Sequence, residues 1–475
     1  MKILLLNPPT YDNRAFIREG RCNQEQGVWS TLWPPITLAS AGAILEASGH
    51  CVDILDCAAQ GIRLKELLAR IKKGNYYLVA WATATPSINS DLALAGEIKA
   101  VASGVKTGVF GTHVTALADE CLDDSHHLDF IVRNEPEESL KGLAEALEKG
   151  KGLEGVMGIS YRDTRGHVCH NNRRPFINNL DNLPFPAWHL LNLDPYRLPL
   201  TGEKFLILAP LRGCPYQCNF CTAQTYYGRK IRKKTVPRVI AEIEYVMSAF
   251  DIKQFFMWAD TFTSDREYVL EFCQHILKRR LHVGWTCNSR VDTVDGSLLN
   301  TMKRAGCWMI SYGIESGDQK VLDKARKNTT VDQCREAVRF AKDARIKVAA
   351  HFVLGLPGET AETLEKTIKL ALDLDPDVAQ FYCAVPFPGS SLYELAEKQG
   401  WIENRNFDDF RQDNAIMNMP GAPPSVVNYY RRLGFRKFYL RPSRFVSFSK
   451  LLRAAGILQN IKGGAKFVRW MANSS

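Results

Sequence analysis

A chain of 475 residues is too long for one ordinary hydrophobic core and predicts two or three domains. Its 45% apolar and 24% charged residues are typical of a soluble globular protein, and no apolar run approaches the ~20 residues with which a helix spans a bilayer. The formal charge of +10 is concentrated at the end: from Gly421 to Ser475 there are eleven Lys or Arg and no Asp or Glu, and the rest is close to neutral.

The opening run KILLLN (2–7) stops at Asn7-Pro8-Pro9. It is too short for a secretory signal and reads as a buried first strand. The expected location is therefore the cytoplasm, where thiols stay reduced, and the 13 cysteines are expected as ligands and core fillers rather than disulfides. Further strands are predicted at VDILD (52–56), LVAWAT (78–83), TGVFG (107–111) and DFIVR (129–133), with helices at 37–48, 63–73, 90–103 and 136–148. This alternation predicts an α/β fold with a doubly wound parallel sheet over 1–150, whose ligands sit beyond the carboxyl ends of the strands. Residues 151–202 read as a connector with a hairpin near GISYRDTRGHV. Over 203–400 alternation resumes, with strands at 205–210, 254–259, 283–288, 308–314, 348–355 and 379–385. Six βα units predict an incomplete parallel barrel. Residues 401–475 read as a basic helical region.

The most informative stretch is LRGCPYQCNFCTA, residues 211 to 223. Cys214, Cys218 and Cys221 follow the first barrel strand directly, at the end where βα barrels build active sites. A structural zinc site wants four ligands, commonly two CxxC pairs, and no second pair exists. Three thiolates on one tight loop suit a cubane iron–sulfur cluster with one iron left open to a substrate or cosubstrate.

A CxxxCxxC motif after the first strand of a partial barrel resembles the radical S-adenosylmethionine (SAM) superfamily. The resemblance implies that Cys214, Cys218 and Cys221 hold a 4Fe-4S cluster whose fourth iron chelates SAM, and that an electron from the cluster cleaves SAM to methionine and a 5′-deoxyadenosyl radical. It implies SAM contacts at successive strand ends. Asp260 and Thr261 in WADTFT would take the amino group, and Arg290 in NSR the methionine carboxylate. Glu315 and Ser316 in YGIESG would reach ribose hydroxyls or the amino group, and Gly355 in LGLPGET would pack against adenine. From the residues alone, Asp260 and Glu315 could equally cap helices, and LGLPGET could be an ordinary βα turn.

A doubly wound domain ahead of such a barrel resembles the cobalamin-dependent branch, over about residues 1 to 440. Many cobalamin domains carry Asp-x-His-x-x-Gly, whose His ligates cobalt from below. Here DCAAQG keeps Asp56 and Gly61 but has Ala58 in place of the His. The lower face of cobalamin is then expected to be open, to hold water or to meet another residue. The resemblance also implies cobalamin contacts at Pro8, at Thr83 and Thr85 in TATPS, at Gly111, Thr112 and His113 in GTHVT, and at Glu135 in RNEPEE.

The function implied is modification of an unactivated carbon of an apolar substrate such as a lipid or tetrapyrrole, with an electron supplied by flavodoxin or ferredoxin. The reaction is C-methylation, or ring closure as in the anaerobic magnesium-protoporphyrin monomethyl ester cyclases, which the NPP opening, the WPPITLASAGAILEASGH helix and the domain order resemble. The missing second Cys triplet disfavours a methylthiotransferase. Two alternatives stay open: a non-catalytic iron–sulfur or corrinoid carrier, which would not need the Asp260, Arg290 and Glu315 series, and a radical SAM enzyme with a vestigial cobalamin domain. No nucleic-acid signature is present. The basic tail reads either as a peripheral contact with the inner face of the membrane or as a helical cover on the barrel.

Overall fold

The computed structural model describes residues 1–12, 14–19, the backbone of 22–25, and residues 32–163, 165–198 and 201–441. The first half contains β1 (Lys2–Asn7), β2 (Phe16–Glu19), β3 (Cys22–Glu25), β4 (Cys51–Asp56), β5 (Leu78–Ala82), β6 (Lys106–Phe110), β7 (Phe130–Val132), β8 (Ile159–Arg162) and β9 (Val168–His170). Seven of these form one sheet in the order β4-β1-β5-β6-β7-β8-β9. The pairs from β4 to β7 are parallel, and β8 and β9 add antiparallel strands at the far edge. Ile3, Leu4, Leu5 and Leu6 are fully buried because helices cover both faces of β1. The hairpin read in the connector thus completes the first sheet and covers the edge of β7.

The order reverses at β1, which pairs with β4 on one side and β5 on the other. This is the switch point at which doubly wound sheets open a crevice. The β2–β3 hairpin near this end was not foreseen, because FIRE and CNQE lack an apolar alternation. A buried cation holds it: Arg18 pairs with Asp91 at 2.8 Å and donates to Asn7 Oδ1 at 2.8 Å and to the Pro8 carbonyl at 3.1 Å.

The second half contains β10 (Phe205–Leu208), the short ribbon β11 (Leu211–Arg212) and β12 (Arg232–Lys233), then β13 (Gln254–Met257), β14 (Gly284–Ser289), β15 (Cys307–Glu315), β16 (Lys347–Leu354) and β17 (Val378–Cys383). β10 and β13–β17 form a parallel six-stranded sheet in sequence order, so all six carboxyl ends share one rim. Side chains alternate along it. The fully buried set faces outward to helices: Trp285 of β14 meets Phe272 of the helix Arg266–Lys278, with ring centroids 5.6 Å apart. The other set, including Phe256, Thr286, Asn288, Ser311, His351, Gln380 and Tyr382, is partly exposed and lines the inside of the half-barrel.

β17 is an edge strand whose backbone the helix Pro424–Tyr439 satisfies with side chains. Tyr439 Oη accepts from the Ala379 N–H at 3.1 Å and donates to its carbonyl at 2.9 Å, and Arg431 Nε donates to the Phe381 carbonyl at 3.0 Å. Phe435 packs edge-on against Phe381. In this part of the basic tail the apolar face is therefore spent on the barrel, which is the covering role. The remainder, 442–475, lies outside the described residues. No helix among the described residues is long and apolar enough to cross a membrane.

Candidate active site

The cysteine loop leaves β11 at Arg212 and returns through the short helix Ala223–Tyr227 to β12. Gly213 carries a φ of +94°, and a Cβ there would strike the Lys230 carbonyl, so only glycine fits between ribbon and loop. The loop is tied down by its backbone. The Cys214 N–H donates to the Gly228 carbonyl at 3.1 Å, and that of Asn219 to the Ala325 carbonyl at 3.0 Å. Asn219 Nδ2 reaches the Lys324 carbonyl at 3.0 Å, and the Leu392 N–H donates to the Asn219 carbonyl at 2.8 Å.

None of the described cysteines is disulfide-bonded. Seven of them, including Cys273, Cys307 and Cys334, are buried, and burial pushes Cys57, Cys334 and Cys383 up to about 12, which keeps them as inert thiols. Cys214, Cys218 and Cys221 are partly exposed on one loop. No three His, Cys, Asp or Glu side chains among the described residues are arranged around a single metal ion. A cubane asks for a different arrangement, in which each thiolate takes its own iron. The Ala223 N–H also points at Cys221 Sγ, 3.5 Å away, a contact of the kind that tunes cluster potentials.

From this loop a chain of contacts runs along the rim. Tyr216, between the first two cysteines, lies under the Arg290 guanidinium at 3.7 Å from its ring centroid. Arg290 pairs with Asp292 through two bonds of 2.8 Å and donates to the Lys327 carbonyl at 2.8 Å. Lys327 pairs with Glu315 at 2.7 Å, both nearly fully buried. Burial opposes the Arg290 and Lys327 charges. Asp292 outweighs it at Arg290 and Glu315 at Lys327, with Cys218 adding to both, so two firm cations stand beside the cysteine loop. Glu315 adopts a φ of +65°, a strained conformation for a residue with a Cβ and one that clusters at functional sites.

The structure brings Asp260, Thr261, Arg290, Glu315 and Gly355 to the same rim as the cysteines. Ser316 turns aside, with its hydroxyl 3.2 Å from Thr367 Oγ1 on the helix Ala361–Leu374. Gly355 has a φ of +88°, and its N–H donates to Glu359. Burial pushes Glu359 up to about 8 against that bond, so near neutral pH it holds the loop largely as the acid. Thr261, Arg290, Glu315 and Gly355 keep polar or small groups at the rim, a set whose chemistry fits an amino acid head group and an adenine, while Arg290 and Lys327 already hold the carboxylates of Asp292 and Glu315.

At the carboxyl ends of β1, β4 and β5 a cleft is lined by Asn7, Phe16, Arg18, Glu19, Trp33, Asp56 and Ala82. It lies at the switch point, where a ligand of this sheet belongs. Asp56 caps the turn CAAQ, accepts from Asn7 Nδ2 at 3.1 Å and takes the Tyr196 hydroxyl at 2.8 Å; burial raises it against these bonds. Burial pushes Glu19 up to about 8, while Thr37 holds its carboxylate through side chain and backbone. Pro8, Thr83, Thr85, Gly111 and Thr112 form a rim of small residues around the same strand ends, which suits close approach of a broad planar group, and Gly61 ends the CAAQ turn. His113 is buried beside Thr85 and edge-on to Phe407, and burial pushes it down to about 3, so it stays neutral. Glu135 is taken up by arginines: Arg212 Nη1 at 3.1 Å and Arg232 Nη1 at 2.8 Å.

Sequence reasoning missed Lys327, Trp33, Tyr196, Arg212 and Arg232. Lys327 stands among other cations in KARKNTT, and nothing local singles it out. Trp33 lies edge-on to Phe256 and Trp258, with both pairs of centroids 5.1 Å apart. It therefore lines the cleft of the first domain and also meets the inner face of the barrel.

Residues 208–371 match the Radical SAM superfamily and residues 28–144 the B12 binding domain. The chain is 32% identical over 446 residues to an uncharacterized methyltransferase of Pyrococcus horikoshii, covering 93% of both chains. It is 30% identical over 421 residues to the anaerobic magnesium-protoporphyrin IX monomethyl ester cyclase of Rubrivivax gelatinosus, covering 86% of this chain and 75% of that one. Its fold matches the radical SAM methyltransferase TsrM of Kitasatospora setae, solved with cobalamin and a 4Fe-4S cluster, with a TM-score of 0.68 at 17% identity over 85% of this chain and 76% of that one. With a B12 domain, a three-cysteine barrel and relatives of this identity along its length, the chain belongs to the cobalamin-dependent radical SAM enzymes, whose cofactors are a 4Fe-4S cluster, SAM and cobalamin.

Proposed function

We propose that this enzyme modifies an unactivated carbon of an apolar lipid or tetrapyrrole, by methylation or by ring closure, at the junction of its two sheets. The observation that carries this reading is Trp33. It belongs to the first domain and lines the switch-point cleft, yet it sits against Phe256 and Trp258 of the barrel. Three aromatic rings between the cofactor regions offer an apolar wall where a substrate would meet both. Cys214, Cys218 and Cys221 would hold the cluster, and the bound cluster and SAM supply the radical. Arg290 keeps Tyr216 and the loop in place, Lys327 and Glu315 present a charged pair to the SAM head group, and Glu359 shapes the loop against adenine. A flavodoxin or ferredoxin would feed the cluster.

The test is a deletion strain grown beside its parent on SAM-labelling methionine with a deuterated methyl group, with lipids and pigments compared by mass. A parental compound that carries the deuterated methyl and is replaced by its unmethylated precursor in the deletion supports methylation. Loss of an unlabelled cyclic product supports ring closure. If neither pool changes and only polar metabolites do, the apolar substrate is wrong.

A further inference from the structure

We propose that Glu135, with Arg212 and Arg232, is a buried ionic clamp that sets the position of the cysteine loop relative to the first domain, and is not a corrin contact. This goes beyond the proposed reaction, because it concerns how the cofactors are held apart, whatever the substrate.

Glu135 and Glu137 stand at the carboxyl end of β7, 5% and 1% exposed. The two arginines stand on β11 and β12, whose antiparallel register pairs Arg212 directly with Arg232. Directly paired residues of such a ribbon point to the same face. Both guanidiniums therefore enter the acidic loop together, and the ribbon is the base from which the cysteine loop springs: Arg212 is followed by Gly213 and Cys214.

The contacts close on one another. Arg212 donates to Glu135 Oε1 at 3.1 Å and to Glu137 Oε1 at 2.6 Å. Arg232 Nη1 meets both Glu135 oxygens at 2.8 Å and the Ile177 carbonyl at 2.8 Å, while the Ile177 N–H returns to Glu135 Oε2 at 3.0 Å. Arg232 Nη2 holds the Tyr227 carbonyl at 2.8 Å, at the end of the helix that follows Cys221. Beside Glu135, Asn134 adopts a φ of +64° and donates from Nδ2 to the Thr225 carbonyl of the same helix at 2.6 Å. Both ends of the cysteine loop are thus fastened to the loop after β7. An apolar contact would tolerate sliding. Two carboxylates and two guanidiniums taken out of water do not, because each displaced charge would lose its partner in a medium that solvates it poorly. Buried ion pairs used in this way specify register.

The experiment uses the holoenzyme reconstituted with iron, sulfide and cobalamin, as wild type, Glu135→Gln, Arg232→Lys and the milder Glu135→Asp. Iron content and cobalamin content are measured first. The electron paramagnetic resonance of the reduced cluster is then recorded with cobalt as Co(II), in which the magnetic interaction between the two centres reports their separation. The clamp predicts that all three variants retain wild-type iron and cobalamin while the interaction splitting shifts, by less in Glu135→Asp than in Glu135→Gln. Loss of cobalamin in the Glu135 variants with full cluster content would make Glu135 a corrin contact and overturn the proposal. An unchanged splitting in every variant that retains both cofactors overturns it as well. If Glu135→Gln fails to fold, Glu135→Asp and Arg232→Lys decide by the same readouts.

Discussion

Cys214, Cys218 and Cys221 differ from the other described cysteines in setting, not in chemistry. Cys273, Cys307 and Cys334 sit in the core, where burial raises their thiols. The triplet lies on a loop with Arg290 and Lys327 in electrostatic reach of Cys218. Replacing any one of the three with Ser should reduce cluster iron to background and abolish 5′-deoxyadenosine formation, because one cluster iron then lacks its thiolate. Cys334→Ala should leave iron content at the wild-type level. Iron and sulfide analysis after anaerobic reconstitution checks both outcomes, and retention of iron in all three triplet variants would place the cluster elsewhere. The triplet was readable as a candidate from spacing alone, since three cysteines within eight positions need no tertiary contact to be recognised. Glu315 was readable as a rim residue, but its Lys327 partner was not, because the pairing depends on how the chain turns after β15.

Among the elements, the helix Pro424–Tyr439 shows how a half-barrel ends. Among the described residues β17 has no seventh strand beside it, and its open backbone groups must find partners or face water. Tyr439 supplies both a donor and an acceptor to Ala379, and Arg431 supplies a donor to Phe381. Gly434 lets the helix approach: a Cβ there would lie 3.1 Å from the Phe381 ring. Tyr439→Phe should remove the contacts to Ala379 and cost about 1 kcal/mol locally, raising amide exchange across β17 about fivefold. Hydrogen–deuterium exchange of the peptide spanning 378–383 measures this. Exchange unchanged there would mean that the helix covers the edge by apolar packing alone. The covering role could not be told from a membrane role in the sequence, because a basic amphipathic helix suits both, and only the tertiary contact consumes its apolar face.

At the scale of the whole molecule, the first domain meets the rest of the chain through charged, polar and aromatic contacts: Glu135 with Arg212 and Arg232 of the β11–β12 ribbon, Asp56 with Tyr196 of the connector, Trp33 with Phe256 and Trp258 of the barrel. Past Arg441, outside the described residues, the sequence carries six Lys or Arg and no acid. We expect them to draw the protein to anionic lipid, at ~1 kcal/mol for each basic residue near the surface. Full-length protein should sediment with phosphatidylserine vesicles at low salt and be released at high salt, and a chain ending at Arg441 should stay in the supernatant. Equal recovery of both chains in the supernatant at low salt would refute this.

By itself, the sequence determined what local pattern determines. Apolar runs and helical spacing located the principal strands of both sheets to within a residue or two, since burial on both faces demands continuous apolar strands. The cysteine spacing pointed to a cluster of the kind this family uses, and DCAAQG carries Ala58 where the cobalamin motif has histidine. Tertiary structure alone decided the pairings. Glu135 read as a cofactor contact at a strand end, and its pairing with two arginines, 77 and 97 positions further along, came only with the fold. Arg290 was expected at the methionine carboxylate, and only the fold shows it paired with Asp292 and set over Tyr216. The hairpin at Phe16–Glu25 has no apolar alternation and exists because Arg18 is buried against Asp91, 73 positions away. Contacts over such separations leave no periodic trace in the chain, and they form only when the packed sheets bring their loops together.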